Sequence, residues 1–191
     1  MKLAVVFPGT GYHEDKPLLY YSRKLAAEAG YQVKGVKYGK LPDMAGGNDK
    51  EGMKAAFSHA LGQAEALLRD VDFGECQEIL FLSKSIGTAV AAAFAKRHGL
   101  RTRNVYYTPV GESFAFIEQP GIVFHGTKDP WVETKTVEEG CRKLGLPLYI
   151  TENGNHSLET GDALKDLENL CRIMKISGEY IKKMAFCPER S

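Results

Sequence analysis

Residues 79–90 read ILFLSKSIGTAV. The apolar run Ile79-Leu80-Phe81-Leu82 meets two serines, then Gly87, then a stretch rich in alanine. A short apolar run bounded by small polar residues reads as a buried strand. Ile86 to Lys96 reads as a helix with side chains small enough to lie very close to a sheet, and Gly99 ends it. Ser85 therefore falls on a sharp strand-to-helix turn. Its hydroxyl is either displayed for chemistry or spent as a helix N-cap, the commoner use of serine there. These residues alone do not decide between the two.

Working outward, the same alternation repeats. Leu3 to Phe7 is a continuous apolar run ended by Pro8-Gly9, as expected of a parallel strand buried on both faces. Asp15 and Pro17 mark a helix start, apolar residues follow at Leu18, Tyr21, Leu25, Ala26 and Ala29, and Gly30 closes it. Tyr31 to Tyr38 alternates like an edge strand with one wetter face. Residues 39–50, with Pro42, Gly46, Gly47 and Asn48, form a loop by composition. Met53, Ala56, Phe57, Ala60, Leu61, Ala64, Leu67, Leu68 and Val71 recur at helical spacing. Val105 to Tyr107 and Ile122 to Phe124 are further strands, the second closed by Gly126. A helix begins near Pro130, carries Val132, Val137, Cys141 and Leu144, and ends at Gly145. Leu148 to Ile150 is the last strand. Leu164, Leu167, Cys171, Met174 and Ile181 line a long final helix that Gly178 should weaken or bend. Strands alternating with helices predict an α/β fold: a three-layer α/β/α sandwich on a six-stranded, mostly parallel sheet. Residues 1–191 read as one domain.

The chain has 191 residues, is 43% hydrophobic and 26% charged, and carries a net charge of +1. These values describe an ordinary globule able to bury a core unaided. Acids and bases are interspersed, which argues against nucleic acid or an anionic membrane as partner. Lys96, Arg97, His98, Arg101 and Arg103 form the densest basic cluster and read as a solvated helix end. Cys76, Cys141, Cys171 and Cys187 have no metal-ligand spacing and read as small buried hydrophobes in a reducing compartment. No metal or cofactor is expected. Leu3–Phe7 is too short for a signal-peptide core or a membrane span, so a cytoplasmic location is expected.

In open parallel sheets, ligands bind at the carboxyl ends of the strands. Just past strands lie Pro8-Gly9-Thr10-Gly11, then Ser85, then Thr127-Lys128-Asp129, then Asn153-Gly154-Asn155-His156. A serine, an aspartate, a histidine and a glycine turn thus reach one edge. Serine is a weak nucleophile until a base takes its proton, and an imidazole of pKa near ~6.5 suits that task at neutral pH. A carboxylate fixes the imidazole tautomer, and backbone N–H groups can hold an oxyanion.

Ser83-Lys84-Ser85-Ile86-Gly87 resembles the nucleophile elbow of the α/β-hydrolase superfamily, usually Gly-x-Ser-x-Gly. His125-Gly126-Thr127-Lys128-Asp129-Pro130 is similar to its acid-bearing turn, and Gly154-Asn155-His156-Ser157-Leu158 to its histidine loop. Phe7-Pro8-Gly9-Thr10 stands where members often carry His-Gly before the first oxyanion donor. Ser83 replaces the first elbow glycine, where a small side chain is needed, and Pro8 replaces the histidine. The resemblance spans nearly the whole chain and is nearest to small, lidless hydrolases. It implies a minimal α/β-hydrolase fold with strands ordered second, first, third, fourth, fifth, sixth. Residues 108–120 are too few for the helical cap of larger relatives. It further implies a serine hydrolase acting on a carboxylic ester or thioester of a small acyl substrate. Ser85 would be the nucleophile, His156 the base and then the acid, and Asp129 the residue that orients His156. The N–H groups of Thr10 and Ile86 would form the oxyanion hole, with Gly11 as substitute for the first.

Blander readings stand beside these. Asp129 alone would be a turn residue, His156 alone a surface histidine. Lys84, beside Ser85, is expected to be solvated or ion-paired. His59 should neighbour the core, His98 end a helix, and His125 support the acid turn, while His13 and Tyr12 could line the pocket. Phe114, Phe116 and Trp131 could wall the site, fill the core or make a homodimer contact. PGTGYHEDK does not match a Walker A loop, and Glu14-Asp15 would repel phosphate. A flavodoxin-like fold binding a phosphate or flavin at Gly9–Gly11 is an alternative that leaves Ser85, Asp129 and His156 without a role. A non-catalytic binding module of the same fold is another.

Overall fold

The computed structural model of the chain describes residues 1–42 and 49–183. The strands are β1 (Lys2–Phe7), β2 (Gln32–Gly35), β3 (Glu78–Lys84), β4 (Arg103–Tyr107), β5 (Gly121–Gly126) and β6 (Leu148–Thr151). The helices are α1 (Pro17–Glu28), α2 (Lys50–Leu68), α3 (Ile86–Arg97), α4 (Thr134–Leu144) and α5 (Ala163–Lys182). All strand pairs are parallel, and the sheet runs β2-β1-β3-β4-β5-β6. This is the layered sandwich and the strand order that the sequence predicts. The order reverses between β1 and β3, so the crevice at their carboxyl ends is the natural ligand site.

Side chains of a strand point alternately to the two faces. Ala4 and Val6 of β1, Leu80 and Leu82 of β3, and Val105 and Tyr107 of β4 pack against α1 and α5. Leu3, Val5, Phe7, Ile79 and Phe81 face α2 and α3 instead. Tyr106 and Val123 meet α4. Because both faces are covered, β1 and β3 read as unbroken apolar runs. The α3 helix is buried from Ile86 through Ala95, as its alanine content allows. On the opposite face, Tyr107 Oη lies 2.7 Å from Ser22 Oγ and 2.7 Å from Ser177 Oγ, joining β4 to α1 and α5. Such a fully paired polar link specifies how two helices sit on one strand.

Several local expectations are corrected. Pro130 does not begin a helix; α4 starts at Thr134, and the intervening residues belong to the turn that carries Asp129. Asp15 does not cap α1, whose N-cap is Lys16; it pairs with Arg23. The edge strand β2 covers only residues 32–35, since the chain leaves the sheet after Val36 donates to Val6 O. Gly178 neither ends nor interrupts α5, because the space beside it is filled by Leu25 of α1. Leu164 and Leu167 are 75% and 62% exposed, so the first turns of α5 do not bury their apolar side. Among the described cysteines Cys141 is buried, Cys76 is half-buried and Cys171 is exposed; Cys187 lies outside the described residues. His59 lies on α2 beside the buried Ala60, as expected, with its own side chain exposed. The loop predicted over 39–50 falls partly outside the described residues, and α2 already begins at Lys50.

The basic cluster is mostly solvated or ion-paired, with Lys96 on Glu118, and Arg97 and His98 on Glu65. Arg103 differs: its guanidinium donates to the carbonyls of Tyr180 and Ile181 near the end of α5. A cation there satisfies carbonyls that lack helical partners. Among the described residues, no helix is long and apolar enough to cross a membrane.

Two glycines make opposite predictions. A Cβ at Gly87 would lie 2.3 Å from Phe7 O and 2.4 Å from Pro8 O, both backbone atoms with nowhere to move. Gly87→Ala is expected to cost about 3 kcal/mol or more. A Cβ at Gly178 would lie 3.4 Å from Leu25 Cδ2, an ordinary contact. Gly178→Ala is expected to add about 0.5–1 kcal/mol through helix propensity. Urea denaturation of both variants beside the wild type measures the two effects.

Candidate active site

Ser85 joins β3 to α3 with φ 55° and ψ −128°, in a region that side chains other than glycine rarely occupy. Holding it there costs on the order of 1–3 kcal/mol. Its backbone is clamped: the N–H donates to Tyr107 O at 3.0 Å, and its carbonyl accepts from Thr88 N at 2.9 Å and Thr88 Oγ1 at 2.6 Å. Thr88 Oγ1 also meets Ser113 Oγ at 2.6 Å, tying the turn to a short 3-10 helix, Gly111–Ala115. Ser85 is the N-cap of α3, yet its side chain makes no capping bond. Its Oγ instead lies 2.7 Å from His156 Nε2. Ser83, in place of the usual glycine, fits: it is fully buried and donates to Val105 O at 3.3 Å.

His156 reaches this point because two loops are stitched together. Lys128 N donates to Gly154 O at 2.9 Å, Thr127 N to Thr151 O at 3.1 Å, and Asn153 N to Thr127 Oγ1 at 2.8 Å. Gly126 is needed here, because a Cβ would meet Gly154 O at 2.3 Å. Asn155 shapes the histidine loop, its Oδ1 accepting from the N–H groups of Ser157 and Glu159. Thr108, just past β4, donates its hydroxyl to His156 O at 3.0 Å and so fixes the histidine backbone. Its own φ is 40°. Nothing in the sequence marks Thr108 beyond its position after a strand, where a threonine before proline reads as a turn residue.

The Asp129 side chain is 0% exposed. Its Oδ2 lies 2.7 Å from His156 Nδ1, and its Oδ1 accepts from Trp131 N at 2.9 Å. His125, also buried, supports the turn as expected. Its Nε2 lies 3.0 Å from Thr134 Oγ1, and its Nδ1 lies 3.9 Å from Asp129 Oδ2 without a hydrogen-bond partner. Ser85, His156 and Asp129, far apart in sequence, thus form one chain of hydrogen bonds. With His156 donating from Nδ1 to the carboxylate, its Nε2 is free to accept the serine proton.

Above Ser85, Gly9 and Tyr12 exchange backbone hydrogen bonds of 3.2 Å each, leaving Thr10 and Gly11 at the tip of a tight turn. The turn presses on the serine: a Cβ at Gly9 would lie 2.9 Å from Ser85 Cβ. Ile86 is the first residue of α3, so its N–H has no acceptor within the helix. Thr10, Ile86, Ser85 and His156 line one open cleft of about 850 Å³. His13 lines the cleft as well, but its Nδ1 accepts from Asp15 N and its ring is exposed. Tyr12 is buried beneath the turn. Trp131 lines the cleft, its ring centroid 5.9 Å from that of His156. Phe114 packs instead on Gly140 in the core. The glycine turn does not open a helix; α1 begins only at Pro17, and Glu14 and Asp15 line the cleft beside it. A phosphate there would face carboxylates rather than a helix N-terminus. Among the described residues, no group of three or more His, Cys, Asp and Glu could hold a metal ion.

Lys84 departs from expectation. It is 1% exposed and makes no ion pair among the described residues; its Nζ stands 5.0 Å from the centre of the Tyr12 ring. Burial pulls the ammonium down to about 7, opposed by the attraction of Asp129. Lys16 lowers it further and Glu159 raises it. His156 is likewise held below its ordinary value, chiefly by burial, with the Asp129 hydrogen bond opposing and the Lys84 charge adding to the fall. Because Lys84 is depressed in the folded state, the unfolded chain binds the extra proton between pH about 7 and the ordinary lysine value near 10.5. The cost of charging is therefore full below pH about 7 and disappears as pH rises through that window. Lys84→Met, close in shape and uncharged, is expected to raise stability by roughly 1–4 kcal/mol at pH 6. The gain should shrink to nothing near pH 10.5. Paired thermal melts across that range test the sign.

No family model matches the chain, and no curated protein matches it in sequence. Solved structures do match in shape. One, a proposed hydrolase of the alpha/beta superfamily from Xanthomonas campestris pv. campestris, superposes with a TM-score of 0.68 at 12% identity, covering 96% of this chain and 100% of that one. An alpha-beta serine hydrolase homologue from Coxiella burnetii gives 0.67 at 15% identity, covering 94% and 84%. A serine hydrolase without lid, from Xanthomonas campestris, gives 0.62 at 14% identity, covering 94% and 80%. In this chain only residues 108–120 join β4 to β5, and they hold no more than the short 3-10 helix. The chain has the α/β-hydrolase fold in a form without a cap between those strands.

Proposed function

We propose that the protein is a serine hydrolase that cleaves a carboxylic ester or thioester through an acyl-enzyme. One observation carries this reading. A serine held at positive φ forgoes the capping bond its position offers and meets an imidazole at 2.7 Å, whose other nitrogen meets a buried carboxylate at 2.7 Å. Strain and a forgone cap both cost stability, which is usual where a side chain is kept for chemistry. The serine hydrolase homologue and the lidless serine hydrolase among the structural neighbours support the same direction.

In this mechanism Ser85 Oγ attacks the carbonyl carbon as its proton passes to His156 Nε2. The C–O bond forms, and the carbonyl electrons move onto oxygen. The N–H groups of Thr10 and Ile86 hold the oxyanion, each worth about 3 kcal/mol when well aimed. Asp129 stabilises the imidazolium without taking its proton. The intermediate collapses, and Nε2 gives the proton to the departing oxygen or sulfur. Water then repeats the sequence on the acyl-serine, losing a proton to Nε2, and the proton returns to Ser85 Oγ as the acid leaves.

Ser85→Ala is expected to lower turnover of p-nitrophenyl acetate by about 10⁴-fold or more. A fluorophosphonate probe should label the folded wild type and spare the variant. Wild-type protein that neither turns over an activated ester nor takes the probe would leave a non-catalytic module of this fold. The pH profile offers a second check. The acid limb of kcat/KM should lie below the ordinary histidine pKa of about 6.5. Lys84→Met removes a repelling charge and should move that limb to higher pH.

A further inference from the structure

Beside Ser85 lies a second cavity, of about 420 Å³, between α2, α3 and the 3-10 helix. Its inner walls are apolar, with Met53, Phe57, Ile86, Ala89, Val110 and Phe116, while the exposed residues Lys50, Lys54, Ser58 and Glu112 line its mouth. The rings of Phe57 and Phe116 stack, 5.2 Å apart and 18° from parallel. Met53 and Ile86 line both this cavity and the main cleft, so the two meet at the residue that follows the serine. His156 and Trp131 line the main cleft and not the apolar cavity.

This division orients an ester. The leaving group must receive its proton from His156 Nε2, so it belongs on the His156 side, in the wide cleft. The acyl group departs from the carbonyl carbon in another direction. The apolar cavity adjoins Ile86, the residue after the serine, and His156 does not line it. From this we infer that the cavity is the acyl-chain site, taking an unbranched apolar acyl group of about six to eight carbons; its volume lies at the lower end of the range that holds such ligands. The inference rests on the hydrolase reading and adds a substrate class to it. The acyl chain is held by burial against the apolar walls, while the leaving group stays in water. Esters of medium-chain acids with polar alcohols or thiols fit both halves.

The test is a chain-length series of p-nitrophenyl esters, from acetate to dodecanoate, on the wild type and two variants. Each methylene buried is expected to raise kcat/KM by up to about fourfold until the cavity fills. Ala89→Leu fills the cavity and should lower the octanoate-to-acetate ratio at least about tenfold. Phe57→Ala lengthens it and should move the optimum to decanoate or beyond. The two shifts are opposite, so loss of stability cannot produce both, and ratios are insensitive to the fraction folded. If Ala89→Leu does not fold, the direction of the Phe57→Ala shift still decides. Chain preference unchanged in the folded variants would overturn the inference. So would a change in preference among alkyl acetates differing in alcohol length, which would put the leaving group in the cavity. Wild type that turns over acetate without chain-length preference rejects the cavity alone. Wild type that turns over no ester rejects the hydrolase reading and the inference with it.

Discussion

At the carboxyl ends of β1 and β3, two backbone segments meet with no room for a side chain between them. Gly9 presses on Ser85, and Gly87 presses on the carbonyls of Phe7 and Pro8. The sheet sets this contact: β1 and β3 pair along their full length, so the turn after one and the helix after the other must share the same space. The backbone solution is a serine at positive φ. That conformation carries the hydroxyl away from the helix it would otherwise cap and leaves the N–H of Ile86 open beside it. One steric constraint thus accompanies both features the proposed mechanism needs, a serine hydroxyl turned from its cap and a free helix N–H beside it.

The second requirement is electrostatic. Asp129 and Lys84 are both buried, and each would be costly alone. The carboxylate is satisfied by His156 and by the Trp131 N–H. Among the described residues, the ammonium has only an aromatic face and the more distant pull of Asp129 and Glu159. Its placement lowers the basicity of His156 against the opposing effect of Asp129. Burial is the main cause that holds the imidazole below its ordinary value; the two charges of opposite sign act on it in opposite directions. Stability is given up at Lys84 and at Ser85, two neighbours in sequence. Unfavourable terms concentrated at one turn are what a site retained for function produces.

The absence of a cap between β4 and β5 has a structural consequence as well. The short segment there is not idle: Ser113 bonds Thr88 and so braces the serine turn, Thr108 holds the histidine backbone, and Val110 and Phe116 close the apolar cavity. A connection that in a larger molecule could cover the site here supports it from the side. The cleft consequently stays open to water above His156 while an apolar recess lies next to Ile86.

Much of this was legible in the residues. Continuous apolar strands, alanine-rich α3 and glycines at helix ends are local signals, and they sufficed for a parallel sheet; its strand order came from the resemblance of the serine, aspartate and histidine turns to those of the α/β hydrolases. The chain order of Ser85, Asp129 and His156, each just past a strand, pointed to one edge, because a parallel sheet delivers all its strand ends to the same side. What periodicity could not reveal is what depends on neighbours distant in sequence. Leu164 and Leu167 have the spacing of a buried face but lie beyond the reach of the sheet. Gly178 looks like a break and is a packing contact with Leu25. Lys84 looks like a surface charge and is sealed under Tyr12. Thr108 carries no signal until β4 and the histidine loop are brought together. Local propensity and alternation determined the elements and the residues at their ends; only the packing of loops against one another decided which side chains meet, because hydrogen bonds and burial are properties of pairs of segments and not of either one.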